Sequence, residues 1–220
     1  MVVVKARDLY PAVQRFAKSQ LGCFTTEVDT GTKLGRVDAV GLKDVGGRLD
    51  GEGEVVAIEV KRGRSPFLAS IGQTAAYSVL ADRCYFADIR DSWTDEEFEV
   101  AQELRVGLLS LGGGSRPRVR IALDAPRSTS VTSLRAELVE RLHYSVCTIC
   151  RAFFRRGAPG RFRKHVATSS PKAAAASNKG FMYWLEEQDS RSSNDSALLY
   201  TRRYVCPGCI SALWPTASDD

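Results

Sequence analysis

Apolar and polar positions alternate along this chain with two different periods, and the changes of period mark its elements. Leu9, Val13, Phe16, Ala17 and Leu21 recur on one helical face, so the spacing predicts a helix from about Leu9 to Leu21, with Asp8 as N-cap, Pro11 in its first turn and Gly22 as its stop. Strand-like runs follow at Cys23 to Val28, Gly35 to Leu42 and Glu54 to Lys61, with glycine-rich turns between the last two. Ser65-Pro66 then opens a second helix whose stripe is Phe67, Leu68, Ile71, Ala75 and Val79, ending at Leu80. A strand at Cys84 to Ala87, a helix opened by the Thr94/Glu97 capping box, and short strands at Val106 to Leu111 and Val119 to Leu123 complete an α-β-β-β-α-β-α-β-β order. That order predicts an α/β domain over residues 1–126, a mixed sheet flanked by helices. Residues 127–143, with the amphipathic Leu134 to Leu142, read as a linking helix, and 144–220 as a small C-terminal domain.

With 44% hydrophobic and 26% charged residues in 220, the composition is that of an ordinary globular chain rather than a disordered or fibrous one. No apolar run approaches the ~20 residues of a membrane span, and Met1 to Lys5 is too short for a signal peptide, so a cytoplasmic protein without membrane association is expected. The charge is unevenly placed. Residues 1–125 carry 17 basic against 18 acidic side chains, a net of −1, whereas 126–220 carry 14 against 8, a net of +6.

Two constellations could carry chemistry. Glu59 and Lys61 alternate on one face of the most apolar strand, Val55 to Lys61, and Asp38 lies in the strand before it. A carboxylate in a central strand calls for a compensating cation, and two carboxylates with backbone oxygen and water suit Mg²⁺ or Mn²⁺. Lys61 could then orient a nucleophile in phosphodiester hydrolysis. Gln73 and Tyr77, four apart on the next helix, could line the same cleft. The plainer alternatives are strand-end surface charges and a tyrosine at the core edge.

Taken together, Val37-Asp38, Glu59-Val60-Lys61 and Gln73-x-x-x-Tyr77 in this order of elements resemble the P-D…(D/E)-x-K nuclease superfamily, in particular restriction-endonuclease-like and exonuclease-like members with a Q-x-x-x-Y element. The resemblance covers about residues 5–123. It implies a restriction-endonuclease-like fold, metal binding by Asp38 and Glu59, assistance to the nucleophile by Lys61, and support of the site or nucleic-acid contact by Gln73 and Tyr77. Val37 stands where many members have proline, and Asp8 is the nearest match to the acid that many carry in the first helix.

Cys147-Thr148-Ile149-Cys150 and Cys206-Pro207-Gly208-Cys209 form the second constellation. Four thiolates on two tight turns match the tetrahedral preference of structural Zn²⁺, and strands entering both pairs resemble a zinc ribbon with a long insertion. A complete Cys₄ set leaves His143 and His165 unneeded as ligands, and Cys23 and Cys84 read as buried small apolar residues. Within the insertion, residues 151–179 hold eight basic and no acidic side chains. Arg151, Arg155, Arg156, Arg161, Arg163 and Lys164, interleaved with phenylalanines, are candidates for nucleic-acid contact, DNA being the expected partner. The expected protein is a metal-dependent deoxyribonuclease whose zinc module aids binding. A catalytically silent nucleic-acid-binding or regulatory protein of the same fold is the alternative, and a homodimer stays open.

Overall fold

Strand β3 (Gly53–Val60) is buried along its whole length, and the rest of the first unit is arranged around it in the computed structural model. The structure describes residues 5–33, 35–46, 52–63, 65–112, 117–128, 133–155, 167–168, 172, 180–188 and 198–213. The chain divides into two compact units, Met1–Val45 with Gly53–Leu142, and Gly46–Glu52 with His143–Asp220.

In the first unit, six strands follow chain order across one sheet: β1 (Cys23–Thr32), β2 (Gly35–Asp44), β3, β4 (Arg83–Ile89), β5 (Gly107–Leu111) and β6 (Val119–Leu123). The outer pairings are antiparallel, while β3–β4 and β4–β5 are parallel. Parallel neighbours need crossovers, and helices α2 (Phe67–Ala76) and α3 (Asp95–Glu103) provide them. Alternation along the strands sends Val56, Ile58, Val60, Tyr85 and Leu109 into one core with Leu9, Val13 and Phe16 of helix α1 (Ala6–Ser19). Phe86 and Leu108 go into another, with Ile71, Ala101 and Trp93. The result is an α/β fold with a six-stranded mixed sheet flanked by helices.

Several boundaries differ from the sequence pattern. Helix α1 starts three residues earlier than its stripe suggests, so Asp8 is inside the first turn rather than at the N-cap, its carboxylate accepting the Lys5 N–H at 2.7 Å. Pro11 consequently lies in the second turn, where its ring withholds one intrahelical donor. Gly22, at φ 76°, ends the segment in a conformation that favours glycine. After α2 the chain tightens into a 3₁₀ turn at Tyr77–Val79 instead of continuing as α-helix. The segment expected to link two domains, helix α4 (Ser133–Arg141), belongs to the first unit, where Leu138 and Val139 are buried and the Arg135 guanidinium forks onto Asp82 at 2.7 Å.

The second unit contains a hairpin of β7 (Tyr144–Val146) and β8 (Phe153–Arg155), and a sheet of β9 (Ala167–Thr168), β10 (Gly180–Gln188) and β11 (Leu198–Val205). Helix α5 (Pro207–Leu213) follows β11. Cys147, Val205 and Ile210 form its buried cluster, with Phe154 against it. Among the described residues, no helix is long and apolar enough to cross a membrane.

Candidate active site and cysteine cluster

The antiparallel register of β2 and β3 runs from Asp44 opposite Gly53 to Ala39 opposite Ile58. Continued by one step, it sets Asp38 opposite Glu59, and directly opposed residues present their side chains on the same face. Here the ladder stops. The Val60 N–H turns to the Asp38 side chain, donating to Oδ2 at 2.8 Å, while the Lys61 N–H bonds the Ala87 carbonyl of β4 at 2.8 Å. The opening between the two strands becomes a cavity of about 600 Å³ containing Asp38, Glu59, Lys61 and Gln73 in its wall. Lys5, Arg36, Arg62 and Ser65 line it as well.

Glu59 is 3% exposed and both its oxygens are engaged. Lys61 Nζ donates to Oε1 at 2.5 Å and the Tyr77 hydroxyl to Oε2 at 2.6 Å. That hydroxyl also has the Arg36 carbonyl at 3.0 Å, and it accepts Gln73 Nε2 at 3.1 Å. Gln73 Oε1 is 3.4 Å from Lys61 Nζ, closing a ring through Glu59, Lys61, Gln73 and Tyr77. Burial raises the Glu59 carboxyl above the usual carboxylate range, and the nearby Asp38 charge adds to this, against the lowering effect of Lys61 and Tyr77. Burial together with the Glu59 hydrogen bond raises the Tyr77 phenol also. An acid held in this way has less compensation than its ionised form requires, which is the electrostatic condition for taking up a cation.

Asp38, Glu59, Lys61, Gln73 and Tyr77 are thus brought together. Asp8 is not, being exposed and bonded back to its own helix start rather than lining the cavity. Tyr10 is the residue that sequence reasoning misses. Its hydroxyl donates to Asp38 Oδ1 at 2.5 Å, and burial with this hydrogen bond raises the phenol. A tyrosine on an apolar helical face reads as core, and only its polar tip hints at a partner. Arg36, Lys5 and Arg62 were equally hidden, since isolated basic residues beside strands resemble solvated charges.

In the second unit, the Sγ atoms of Cys147, Cys150, Cys206 and Cys209 all lie within 4.8 Å of one another. Tetrahedral zinc with Zn–S of ~2.3 Å has sulfur atoms ~3.8 Å apart. Cys150 and Cys206 are at 3.7 Å, well beyond a disulfide bond. The first pair sits in the turn between β7 and β8, with the Arg151 N–H on the Cys147 carbonyl at 3.0 Å. The second pair is entered by β11 as expected but opens helix α5 instead of forming another β-turn, because Pro207 takes the first helical position. Backbone N–H groups point at sulfur, from Cys206 to Cys147 Sγ at 3.3 Å and from Cys209 to Cys206 Sγ at 3.4 Å. Burial opposes ionisation of Cys147, yet the amides of Cys206, Cys150 and Ile149 bring its thiol below the ordinary value. Burial and the neighbouring sulfurs push Cys206 and Cys209 up. Four cysteines so placed could hold a zinc ion, which would offset their mutual repulsion. Cys23 and Cys84, by contrast, are buried with thiols pushed up to about 12 by burial.

Arg151 and Arg155 are exposed beside the first cysteine pair. Arg156, Arg161, Arg163, Lys164 and His165 lie outside the described residues. His143 immediately precedes β7 with φ 66°. No protein-family model and no curated protein matches this chain. Among solved structures, a protein of unknown function from Silicibacter pomeroyi is similar at 22% identity and a TM-score of 0.46, over 64% of this chain and 84% of that one.

Proposed function

We propose that this protein is a divalent-metal-dependent phosphodiesterase acting on DNA, built on a restriction-endonuclease-like core, with a structural zinc module that adds affinity for nucleic acid. The opposition of Asp38 to Glu59 beside Lys61 carries this proposal. The donor set fits Mg²⁺ or Mn²⁺: two carboxylates, each oxygen retaining lone-pair capacity after its one hydrogen bond, in a cavity with room for water. Bound there, such a cation supplies Lewis acidity, making water more acidic and offsetting charge on a phosphoryl oxygen.

The chain's own side chains do the rest. Lys61, held by Glu59 and Gln73, orients the attacking water and offsets charge in the transition state. Tyr77 fixes the Glu59 carboxylate, and Tyr10 with the Val60 amide fixes that of Asp38. Arg36, Arg62 and Lys5 give the rim a positive field that attracts phosphate. Arg151 and Arg155, beside the cysteine cluster, and the basic residues that follow them in the sequence bind the nucleic-acid backbone.

Cleavage of single- and double-stranded DNA with Mg²⁺ or Mn²⁺ tests this. Wild type should cut, while Lys61→Ala should lose roughly 10²-fold or more of the rate, in line with loss of one transition-state donor. Wild type and Lys61→Ala equally inert on every substrate, with DNA still bound, would instead identify a silent nucleic-acid-binding protein.

A further inference from the structure

Resting on that proposal, we infer that the cavity is built for a single divalent cation, and that fixed side-chain charge from Arg36, Arg62 and Lys5 takes the place of a second one. Two-metal phosphodiester sites hold their ions ~3.5–4 Å apart and need enough carboxylate to offset both. Among the described residues, the lining of this cavity has two acids, Asp38 and Glu59, against four basic side chains, Lys5, Arg36, Lys61 and Arg62, of which Lys61 pairs with Glu59 and Arg36 with Asp29 outside the lining, so basic groups outnumber acids there before any ion enters. Among the described residues, the one group of three or more acids, histidines or cysteines close enough to share an ion is the cysteine cluster.

The helix that approaches Asp38 confirms the shortage of ligands. At the point of contact, α1 presents Tyr10, whose hydroxyl donates to Asp38 Oδ1 and so occupies acceptor capacity instead of adding any. Asp38 Oδ2 is occupied by the Val60 N–H. Each oxygen of the Asp38 carboxylate therefore has a single acceptor position left. The acid of the same helix, Asp8, is committed to the Lys5 N–H.

Positive charge, meanwhile, is anchored at the rim. Arg36 Nε pairs with Asp29 Oδ1 at 2.8 Å, which holds its guanidinium in place while leaving 69% of the side chain exposed. Arg62 leaves the strand end next to Lys61, and the Gly63 N–H that follows is fixed by the fully buried Asp88 carboxylate at 2.5 Å. A leaving oxygen can be met here by guanidinium or ammonium in place of a second ion.

Electron paramagnetic resonance of Mn²⁺ titrated into the zinc-loaded full chain counts the ions directly. We expect one tightly bound Mn²⁺ per chain, lost in Glu59→Gln and, separately, in Asp38→Asn. Two ions lost together in those variants would overturn the single-cation inference and leave the phosphodiesterase proposal standing; none bound to wild type would overturn both. For the rim, Arg62→Gln should keep a count of one while lowering kcat roughly 10²-fold. An unchanged kcat would overturn the role given to fixed charge.

Discussion

Glu54 and Glu59 lie on one strand and are nearly equally buried, at 2% and 3% exposed, yet the chain treats them in opposite ways. Glu54 is met by two guanidinium groups, Arg83 Nε at 2.8 Å and Arg127 Nε at 3.2 Å. Its neighbour Asp82 accepts the Val55 N–H at 2.6 Å and the fork of Arg135. At the other end of the strand, Glu59 pairs with the Lys61 ammonium and a phenol, beside a second carboxylate that pushes its pKa further up. Rigid planar cations finish the electrostatics of the first end, as suits a structural role. The second end is left short of positive charge at the carboxylates themselves, as the proposed divalent-metal site would require.

The contrast can be broken most severely at the finished end. Asp82→Ala strands the Arg135 charge and orphans the Val55 amide, and should cost about 3 kcal/mol in urea unfolding of the zinc-loaded protein. Next comes a pair of matched substitutions with opposite signs. Glu54→Gln should lower stability, because it removes the partner of two arginines, whereas Glu59→Gln should raise the stability of the protein free of Mg²⁺. Thermal unfolding of the two variants side by side reads this out, and equal signs would erase the distinction.

A pH series sharpens it further. The Glu59 pKa is higher in the fold than in the unfolded chain, so over the interval between the two values the native state keeps a proton that the unfolded state has released. Stability from this group therefore declines as pH rises from the ordinary carboxylate value through the raised one. Glu59→Gln should abolish that part of the slope, and Mg²⁺ at neutral pH should offset it. The smallest effect on stability is expected from Tyr10→Phe, which keeps the ring and removes one hydroxyl. Its consequence should show in Mg²⁺ affinity, weakened about 10-fold by loss of the hydrogen bond that orients Asp38.

How much of this was legible in the sequence depends on the range over which each feature is specified. Strand β3 is obvious because its apolar run is local and bounded by glycine and charge. Glu59 with Lys61, and Gln73 with Tyr77, follow from the periods of a strand and a helix, and both pairs do meet. The opposition of Asp38 to Glu59 rests on a register across 20 intervening residues, which the pattern suggests but pairing alone fixes. Tyr10 was illegible because its chemistry depends on where α1 crosses the sheet. The start of that helix was misplaced because an aspartate stabilises a helix from its first turn as well as from the N-cap. In the second unit, spacing was enough to assemble the four cysteines but not to show that the second pair begins a helix.

The most direct test is anomalous scattering from a crystal of the zinc-loaded protein soaked in Mn²⁺. A manganese peak should appear between the carboxylates of Asp38 and Glu59, about 2.2 Å from oxygen, separate from the zinc peak among the four cysteines. Density at the cysteines with none between Asp38 and Glu59 would contradict the assignment of that pocket as a divalent-metal site.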